Sequence, residues 1–399
     1  MAESSGRINN PISERELERR WAAVRAAMAD HRVDVLVMQA NNDFMGGYVK
    51  YFTDVPATNG YPASVVFPRE ERMAVIGQGP LGLIRELPPG GDELRRGVGR
   101  FMSAPSFASA GYTAEYDAQL AEKALARHAS ATIGLLGTAA MSYAFVDYLK
   151  RALPRAKFLD ASDMVDRIKA VKSEEEIAFM RRTTAMQDAA MQAVFAAIKP
   201  GMRDLEVAAV AEQYGHSHGS EQGLFLCASG PVGTAAVFGN RHVQNRVIRE
   251  GDQFTLLIEN SGPGGFYTEI GRTCVLGRAS EEMHEEFAFV LEAQKFTTGL
   301  LQPGASCREI WDAYNGFMRS HGRPEEKRLH CHSQGYDMVE RPLVRFDETM
   351  TVGKDMIVAL HPTYVTDRTY SWVCDNFLIG AQGVIERLHQ LPQKIFELG

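Results

Sequence analysis

The sequence predicts an α/β protein, of the mixed α+β type, that is built from two domains. A chain of 399 residues with 45% hydrophobic residues has enough apolar side chains for two cores. Strand-like and helical segments alternate up to about residue 160, which is typical of an α/β domain of ordinary size. Beyond Ser173 the pattern changes to long helices and a hairpin. We therefore expect one domain over 1–160 and a second over 161–399.

The N-terminal domain is predicted to open with a helix. Residues 12–31 have helical apolar spacing, and Ser13 followed by Glu16 can form a capping box. Short runs of apolar and β-branched residues then predict strands. These strands are expected over 33–39, 63–68, 72–77, 131–137 and 156–162.

The C-terminal domain is predicted to begin with a long amphipathic helix. Ser173 and Glu176 form a second capping box, and the Pro200-Gly201 pair follows the end of this helix near Ala197. Two strand-like segments, 253–260 and 269–277, flank a Gly/Pro turn and predict a hairpin. Further helices are expected over 280–301 and 307–321.

The composition excludes several classes of protein. The net charge of −7, with scattered Lys and Arg, excludes a nucleic-acid binder. No apolar run has membrane-spanning length, and the polar N-terminus lacks an apolar signal segment, so we expect no membrane association. Five cysteines without paired spacing indicate a reducing, cytoplasmic location.

Several segments of the chain, taken in order, resemble the pita-bread superfamily of Xaa-Pro aminopeptidases, methionine aminopeptidases and creatinase. The resemblance implies a creatinase-like N-terminal domain followed by a pita-bread catalytic domain. The matching segments are IKAVKSEEEI (168–177), IKPGMRDLEV (198–207), the hairpin over 249–274, CHSQG (331–335), MIVALHP (356–362) and VCDNFLIG (373–380).

The same resemblance identifies five ligand positions. Metal-dependent members supply Asp, Asp, His, Glu and Glu there, whereas this chain has Glu259, Glu269, His332, His361 and Cys374. Two close cations need bridging carboxylates, which an imidazole and a thiolate cannot replace. We therefore expect no metal pair. A single Zn or Fe ion held by His332, His361 and Glu269 remains an alternative.

Creatinase works without metal, and the resemblance to it implies acid–base chemistry by His332, Glu259, Glu269 and His361. Its catalytic histidine falls at Asn240 in an ungapped count, and a two-residue deletion would bring His242 into that place. Asp337, Arg341 and Cys374, together with His242, are the predicted substrate-binding residues. A surface ion pair is the alternative role for Asp337 and Arg341, and a small buried apolar role is the alternative for Cys374. His330, on the same predicted strand as His332, is expected to be a core residue.

Three functions remain open at this point. The first is a creatinase-like enzyme that cleaves a C–N or related bond in a small polar metabolite. The second is a mononuclear metal-dependent hydrolase or lyase, and the third is a non-catalytic binding module. By resemblance to creatinase we also expect a homodimer, in which the aromatic-rich segment 41–52 approaches the partner's pocket; these aromatic residues are otherwise core residues.

Overall fold

A computed structural model of the chain describes residues 7–44 and 47–399. The chain forms two compact units, which divide between Lys169 and Ala170. Within the described residues, no helix combines the length and the apolar character needed to cross a bilayer. All five cysteines are buried free thiols.

The N-terminal unit is a seven-stranded mixed sheet with helices. The strand order is β4-β5-β3-β2-β1-β6-β7, and β1 pairs antiparallel to β2 but parallel to β6. The predicted strands are confirmed with small changes at their ends. The elements are α1 Glu14–Asp30, β1 Val35–Ala40, α2 Gly47–Thr53, β2 Ala63–Pro68, β3 Met73–Gln78, β4 Leu83–Glu86, β5 Val98–Ala104, α3 Tyr116–Ala124, β6 Thr132–Leu136, α4 Tyr143–Ala152, β7 Lys157–Asp160 and α5 Ser162–Ala170.

The aromatic-rich segment of this unit is partly core. Tyr51 and Phe52 are buried, at 2% and 0% exposure, and Phe52 packs edge-on against Phe67. Residues 45 and 46 lie outside the described residues. The approach of this segment to a partner's pocket therefore stays a prediction, but Tyr51 and Phe52 have the alternative role of core residues.

The C-terminal unit contains two larger sheets and four long helices. One sheet has the order β18-β10-β9-β8 and the other β12-β11-β13-β16-β17. The elements are α6 Glu174–Ala197, α7 Asp204–Ser217, β8 Gly223–Pro231, β9 Asp252–Ser261, β10 Tyr267–Leu276, α8 Glu281–Leu300, α9 Cys307–Ser320, β11 Cys331–Ser333, β12 Glu340–Leu343, β13 Ile357–Leu360, β14 Thr363–Val365, β15 Tyr370–Trp372, β16 Asp375–Gly380, β17 Gly383–Arg387 and β18 Phe396–Leu398.

Local sequence signals explain the start of this unit. The Ser173 hydroxyl accepts the Glu176 N–H at 3.2 Å, and the Glu176 carboxylate accepts the Ser173 N–H at 2.8 Å. The predicted capping box is therefore present at the first turn of α6.

The two sheets meet where β10 passes the start of β16. The Gly271 N–H donates to the Cys374 carbonyl at 3.1 Å. A side chain at position 271 would collide with Trp372, since a Cβ there would lie 2.1 Å from its ring. Glycine thus permits the close approach that brings the hairpin next to β16. The candidate site lies at this junction.

Candidate active site

The two hairpin strands place Glu259 and Glu269 directly opposite each other. They are cross-strand partners of the β9–β10 pair, so their side chains lie on the same face. Exposure is 8% for Glu259 and 3% for Glu269. The two carboxyl groups are thus close together and shielded from water. Ionising both of them is unfavourable, because each charge is poorly solvated and repels the other.

The two predicted histidines come from neighbouring strands. His332 on β11 pairs with Ala359 on β13, and His361 directly follows the last residue of β13. The His361 N–H donates to the His330 carbonyl at 2.8 Å, which continues the pairing. The centroids of the His332 and His361 rings are consequently 5.3 Å apart.

Three ligand-type atoms converge at this place. Oε1 of Glu269 lies 3.4 Å from Nε2 of His332 and 3.7 Å from Nε2 of His361. Within the described part of the chain this oxygen has no hydrogen-bond partner, although it is buried. Nδ1 of His332 lies 2.9 Å from the Ser333 carbonyl and must donate to it, so Nε2 is the nitrogen that faces the site.

The environment sets different protonation states for the two carboxyl groups. Burial raises the pKa of Glu259 well above its ordinary value, and the neighbouring Glu269 charge raises it further. Burial alone would also raise the pKa of Glu269, but His361 and His332 lower it to about 2. Burial lowers the pKa of His361 to about 4. At neutral pH the site therefore contains a neutral acid at Glu259, a carboxylate at Glu269 and a neutral imidazole at His361.

A pair of buried amides links the Glu259 carboxyl group to the backbone of Glu269. Gln334 Nε2 donates to Glu259 Oε1 at 3.2 Å, and Asn376 Nδ2 donates to Gln334 Oε1 at 2.8 Å. Asn376 Oδ1 in turn accepts the Glu269 N–H at 2.8 Å. Sequence reasoning missed Gln334 and Asn376, although both lie inside the matching segments, because an amide has no spacing signature of its own.

A buried histidine–aspartate pair also contacts the backbone of Glu269. His389 is fully buried; its Nε2 faces the Glu269 carbonyl at 3.0 Å, and its Nδ1 faces Asp188 at 3.2 Å. His389 therefore connects the Asp188 carboxylate to the backbone of β10 at Glu269. This pair was also missed, since its members are remote from each other in sequence.

Cys374 does not join the converging atoms. Its Sγ donates to the Glu269 carbonyl at 3.7 Å, and its side chain lies in an apolar cluster with Leu257, Tyr370 and Trp372. Burial and the Glu269 charge raise the pKa of Cys374 well above its ordinary value, so the thiol is neutral. This placement matches the alternative role of a small buried residue.

The other predicted binding residues lie outside the converging group. His242 is exposed on a short 3-10 turn, Arg241–Val243. Arg341 donates to Glu348 through two nitrogens, at 3.1 and 2.5 Å, which is the ion pair given as its alternative role. Asp337 is half-buried, and its N–H donates to Glu340. A substrate-binding role for these three residues stays a prediction.

His330 is a core residue. It has 0% exposure, and its ring stacks on Tyr314 with 3.6 Å between the centroids. Neither ring nitrogen has a hydrogen-bond partner among the described residues. Burial lowers the pKa of His330 well below its ordinary value, so the ring is neutral.

The donor set fits one metal ion but not a pair. Glu269, His332 and His361 offer ligand atoms that all lie within 4.8 Å of one another. Two imidazoles and one carboxylate are a usual ligand set for Zn or Fe. The Glu259 carboxyl, by contrast, accepts a hydrogen bond from Gln334, and the Cys374 thiol faces a backbone carbonyl.

Comparison with known proteins assigns the class of protein. A sequence profile of metallopeptidase family M24 matches residues 178–385, which is more than half of the chain. The chain belongs to the M24 family.

Relatives found by sequence comparison agree with this assignment. An Xaa-Pro dipeptidase of Pyrococcus furiosus is 27% identical over 243 residues, which cover 58% of this chain and 66% of that protein. An uncharacterized hydrolase/peptidase of Sinorhizobium fredii is 29% identical over 197 residues, covering 47% and 48% respectively. The alignments thus span two thirds or less of these curated relatives.

Solved structures confirm the predicted fold. An X-Pro aminopeptidase from Thermotoga maritima superimposes with a TM-score of 0.77 at 18% identity, over 94% of this chain and 99% of that one. An Xaa-Pro dipeptidase from Bacillus anthracis gives a TM-score of 0.75 at 19% identity, over 96% and 100%. The predicted pita-bread fold is therefore confirmed, and the profile match confirms the predicted family.

Proposed function

We propose that this M24 chain is a hydrolase that cleaves a C–N bond in a small polar metabolite without a pair of metal ions. The proposal rests on one observation: the side chains at the five ligand positions do not form a single set of ligands in this structure. Three side chains converge, while the Glu259 carboxyl is bound by an amide and the Cys374 thiol is turned to the backbone. Peptide hydrolysis by a metal-bridged water needs both of those positions as ligands.

The remaining groups form an acid–base set. Glu259 is the neutral acid, and it can give its proton to the leaving nitrogen as the C–N bond breaks. His332 exchanges protons through Nε2, and it can take one from the water whose oxygen bonds to the carbon. Glu269 Oε1, at 3.4 Å, stabilises the imidazolium that this transfer forms. Each proton then has a defined donor and acceptor.

A hydrolase with one metal ion is the second candidate. It is favoured by the buried Glu269 Oε1, which has no hydrogen-bond partner among the described residues and faces two imidazole nitrogens. A cation held by Glu269, His332 and His361 would supply Lewis acidity at that point. In this case Glu259 keeps its role as the proton donor.

Metal analysis separates the two candidates, and we expect fewer than two equivalents of metal per chain. The measurement is elemental analysis of protein purified without chelator, with Glu269→Gln as the matched variant that removes one ligand atom but keeps the side-chain volume. One equivalent of Zn or Fe in the wild type that disappears in the variant would favour the second candidate. Two equivalents of manganese, cobalt or iron would refute the proposal.

We also propose a cytoplasmic homodimer, on the strength of the creatinase resemblance and the five buried free thiols. Light scattering at working concentration is expected to give about twice the chain mass. A mass of 44.1 kDa, that of one chain, would contradict the dimer.

A further inference from the structure

The N-terminal unit contains a cavity that has no part in the function proposed above. Its volume is about 470 Å³, which lies in the range of pockets that hold small molecules. Some of its lining residues come from a cross-strand row, in which Ala74 on β3 pairs with Val66 on β2 and with Arg100 on β5. The others come from the end of α3 and from the short 3-10 turn Ala126–His128 that follows it.

A β-bulge makes room for the side chain of Arg72, which lines this cavity. The pairing of β3 with β5 shifts register after Met73 and Val98, so Gly99 has no partner on β3. A Cβ atom at position 99 would lie 2.9 Å from Cβ, 3.3 Å from Nε and 3.4 Å from Cζ of Arg72. Because glycine has no such atom, the Arg72 side chain can lie across β5 at this point.

Two backbone carbonyls fix the guanidinium of Arg72. Its Nη1 donates to the Leu87 carbonyl at 3.2 Å and to the Pro88 carbonyl at 2.7 Å. Among residues 7–44 and 47–399, no group accepts a hydrogen bond from its Nε or Nη2. A planar guanidinium that is held through one nitrogen keeps its other N–H groups in a defined geometry, as the binding of an oxyanion requires.

The cavity is lined by more positive than negative charge. Its charged lining residues are four cations and two carboxylates, namely Arg72, Arg100, Lys123, Arg127, Glu71 and Glu86. Glu86 forms an ion pair with Arg100 at 2.5 Å. Glu71 lies 3.8 Å from His128, a residue of the 3-10 turn. The two carboxylates therefore leave three of the cations without a partner.

These three cations are Arg72, Lys123 and Arg127, and none has a carboxylate partner in the part of the chain that the structure describes. The dipole of α3 favours Lys123 in its last turn, but it does not account for Arg72, which precedes β3. Three like charges around one cavity repel one another, and a bound anion would offset that repulsion. A phosphate group offers three acceptor oxygens and up to two negative charges, which suits three separate donors.

We propose that this cavity binds a small organic phosphate, whose phosphate group contacts Arg72, Lys123 and Arg127. The organic part contacts the apolar lining, which consists of Val66, Pro68, Ala74, Ala124 and Ala126. Positive charge at the cavity also attracts the anionic ligand from solution. The inference does not rest on the proposed function, because all of these residues belong to the N-terminal unit.

Isothermal titration calorimetry of the full-length chain, at fixed ionic strength, tests the proposal with ribose 5-phosphate and ribose. Wild type is expected to bind the phosphate ester and not the sugar, since the phosphate group supplies the charge. Arg72→Met should weaken the binding of ribose 5-phosphate by about tenfold or more, the effect of losing a charge-assisted hydrogen-bonded contact. Arg72 is exposed, so this substitution should leave the fold intact.

Two further variants separate a built site from a general attraction between charges. Gly99→Ala keeps every charge but places a Cβ atom against Arg72, so it should also weaken binding. Arg155→Met removes an exposed arginine of the same unit that does not line the cavity, and it should leave binding unchanged.

The proposal is overturned if wild type does not bind ribose 5-phosphate, or if Arg72→Met binds it as tightly as wild type does. Equal weakening by Arg72→Met and Arg155→Met would show that only the net charge of the protein matters. Unchanged binding in Gly99→Ala would contradict the role of the fixed Arg72 guanidinium. Inorganic phosphate that binds as tightly as ribose 5-phosphate would overturn the role given to the apolar lining.

Discussion

Replacing His332 with Ala is expected to reduce turnover by about a hundredfold to ten-thousandfold, the usual range for a proton-transfer group. The reason is that Nδ1 donates a hydrogen bond to the Ser333 carbonyl. Nε2 is therefore the nitrogen that faces Glu269 and the reacting group. The measurement is steady-state kinetics once a substrate has been identified. The lost hydrogen bond to Ser333 should lower the free energy of unfolding by only about 1 kcal/mol.

A second histidine serves as the control for any effect that the loss of a histidine side chain has irrespective of its position. His321 is exposed at the end of α9, and His321→Ala should leave turnover unchanged. Near-normal turnover in His332→Ala would remove His332 from the site. A His332→Ala protein that does not fold would instead show that His332 is a structural core residue.

The largest expected effect on stability is at Arg272, where Arg272→Leu should lower the free energy of unfolding by about 3 to 5 kcal/mol. The Arg272 and Asp375 side chains are both 0% exposed and are joined by bonds of 2.7 and 3.2 Å. Arg272 also donates to the carbonyls of Cys374, Leu391 and Pro392, each at 3.0 Å. Its removal leaves a buried carboxylate and several carbonyl groups short of donors.

Urea denaturation measures this change, and Asp375→Asn provides a milder variant that keeps the side-chain volume. The control is Arg278→Leu, because Arg278 pairs with Glu397 at 2.9 Å but its side chain is 89% exposed. That substitution should change the free energy of unfolding by no more than about 0.5 kcal/mol. Equal changes in the free energy of unfolding for Arg272→Leu and Arg278→Leu would show that burial does not determine how much these ion pairs stabilise the fold.

Local features of the sequence were sufficient to predict most elements of the C-terminal unit. The capping box at Ser173 and Glu176 is formed by residues three positions apart, and it is present as expected. The two halves of the hairpin flank a Gly/Pro turn, so antiparallel pairing follows from short-range chemistry. The facing of Glu259 and Glu269 is a direct result of that pairing.

The rest of the site depends on contacts that no local pattern encodes. His332 and His361 meet because β11 pairs with β13, and the family resemblance rather than the residue spacing indicated this. Gln334 and Asn376 acquire their roles only when β11 and β16 flank the same strand. Arg341 was a reasonable candidate for binding an anion, but Glu348, seven positions later, already occupies its guanidinium.

The amide bridge between Gln334 and Asn376 limits what substitution of the ligand positions alone can achieve. Placing aspartate at position 259 and glutamate at position 374 would not by itself create a site for a metal pair. The amide of Gln334 would still compete for the carboxylate at 259, and a glutamate at 374 would bury its charge between Leu257 and Trp372. A second metal position would thus require changes in ligands and supporting residues together, and the effects of substitutions at residues in contact are not additive.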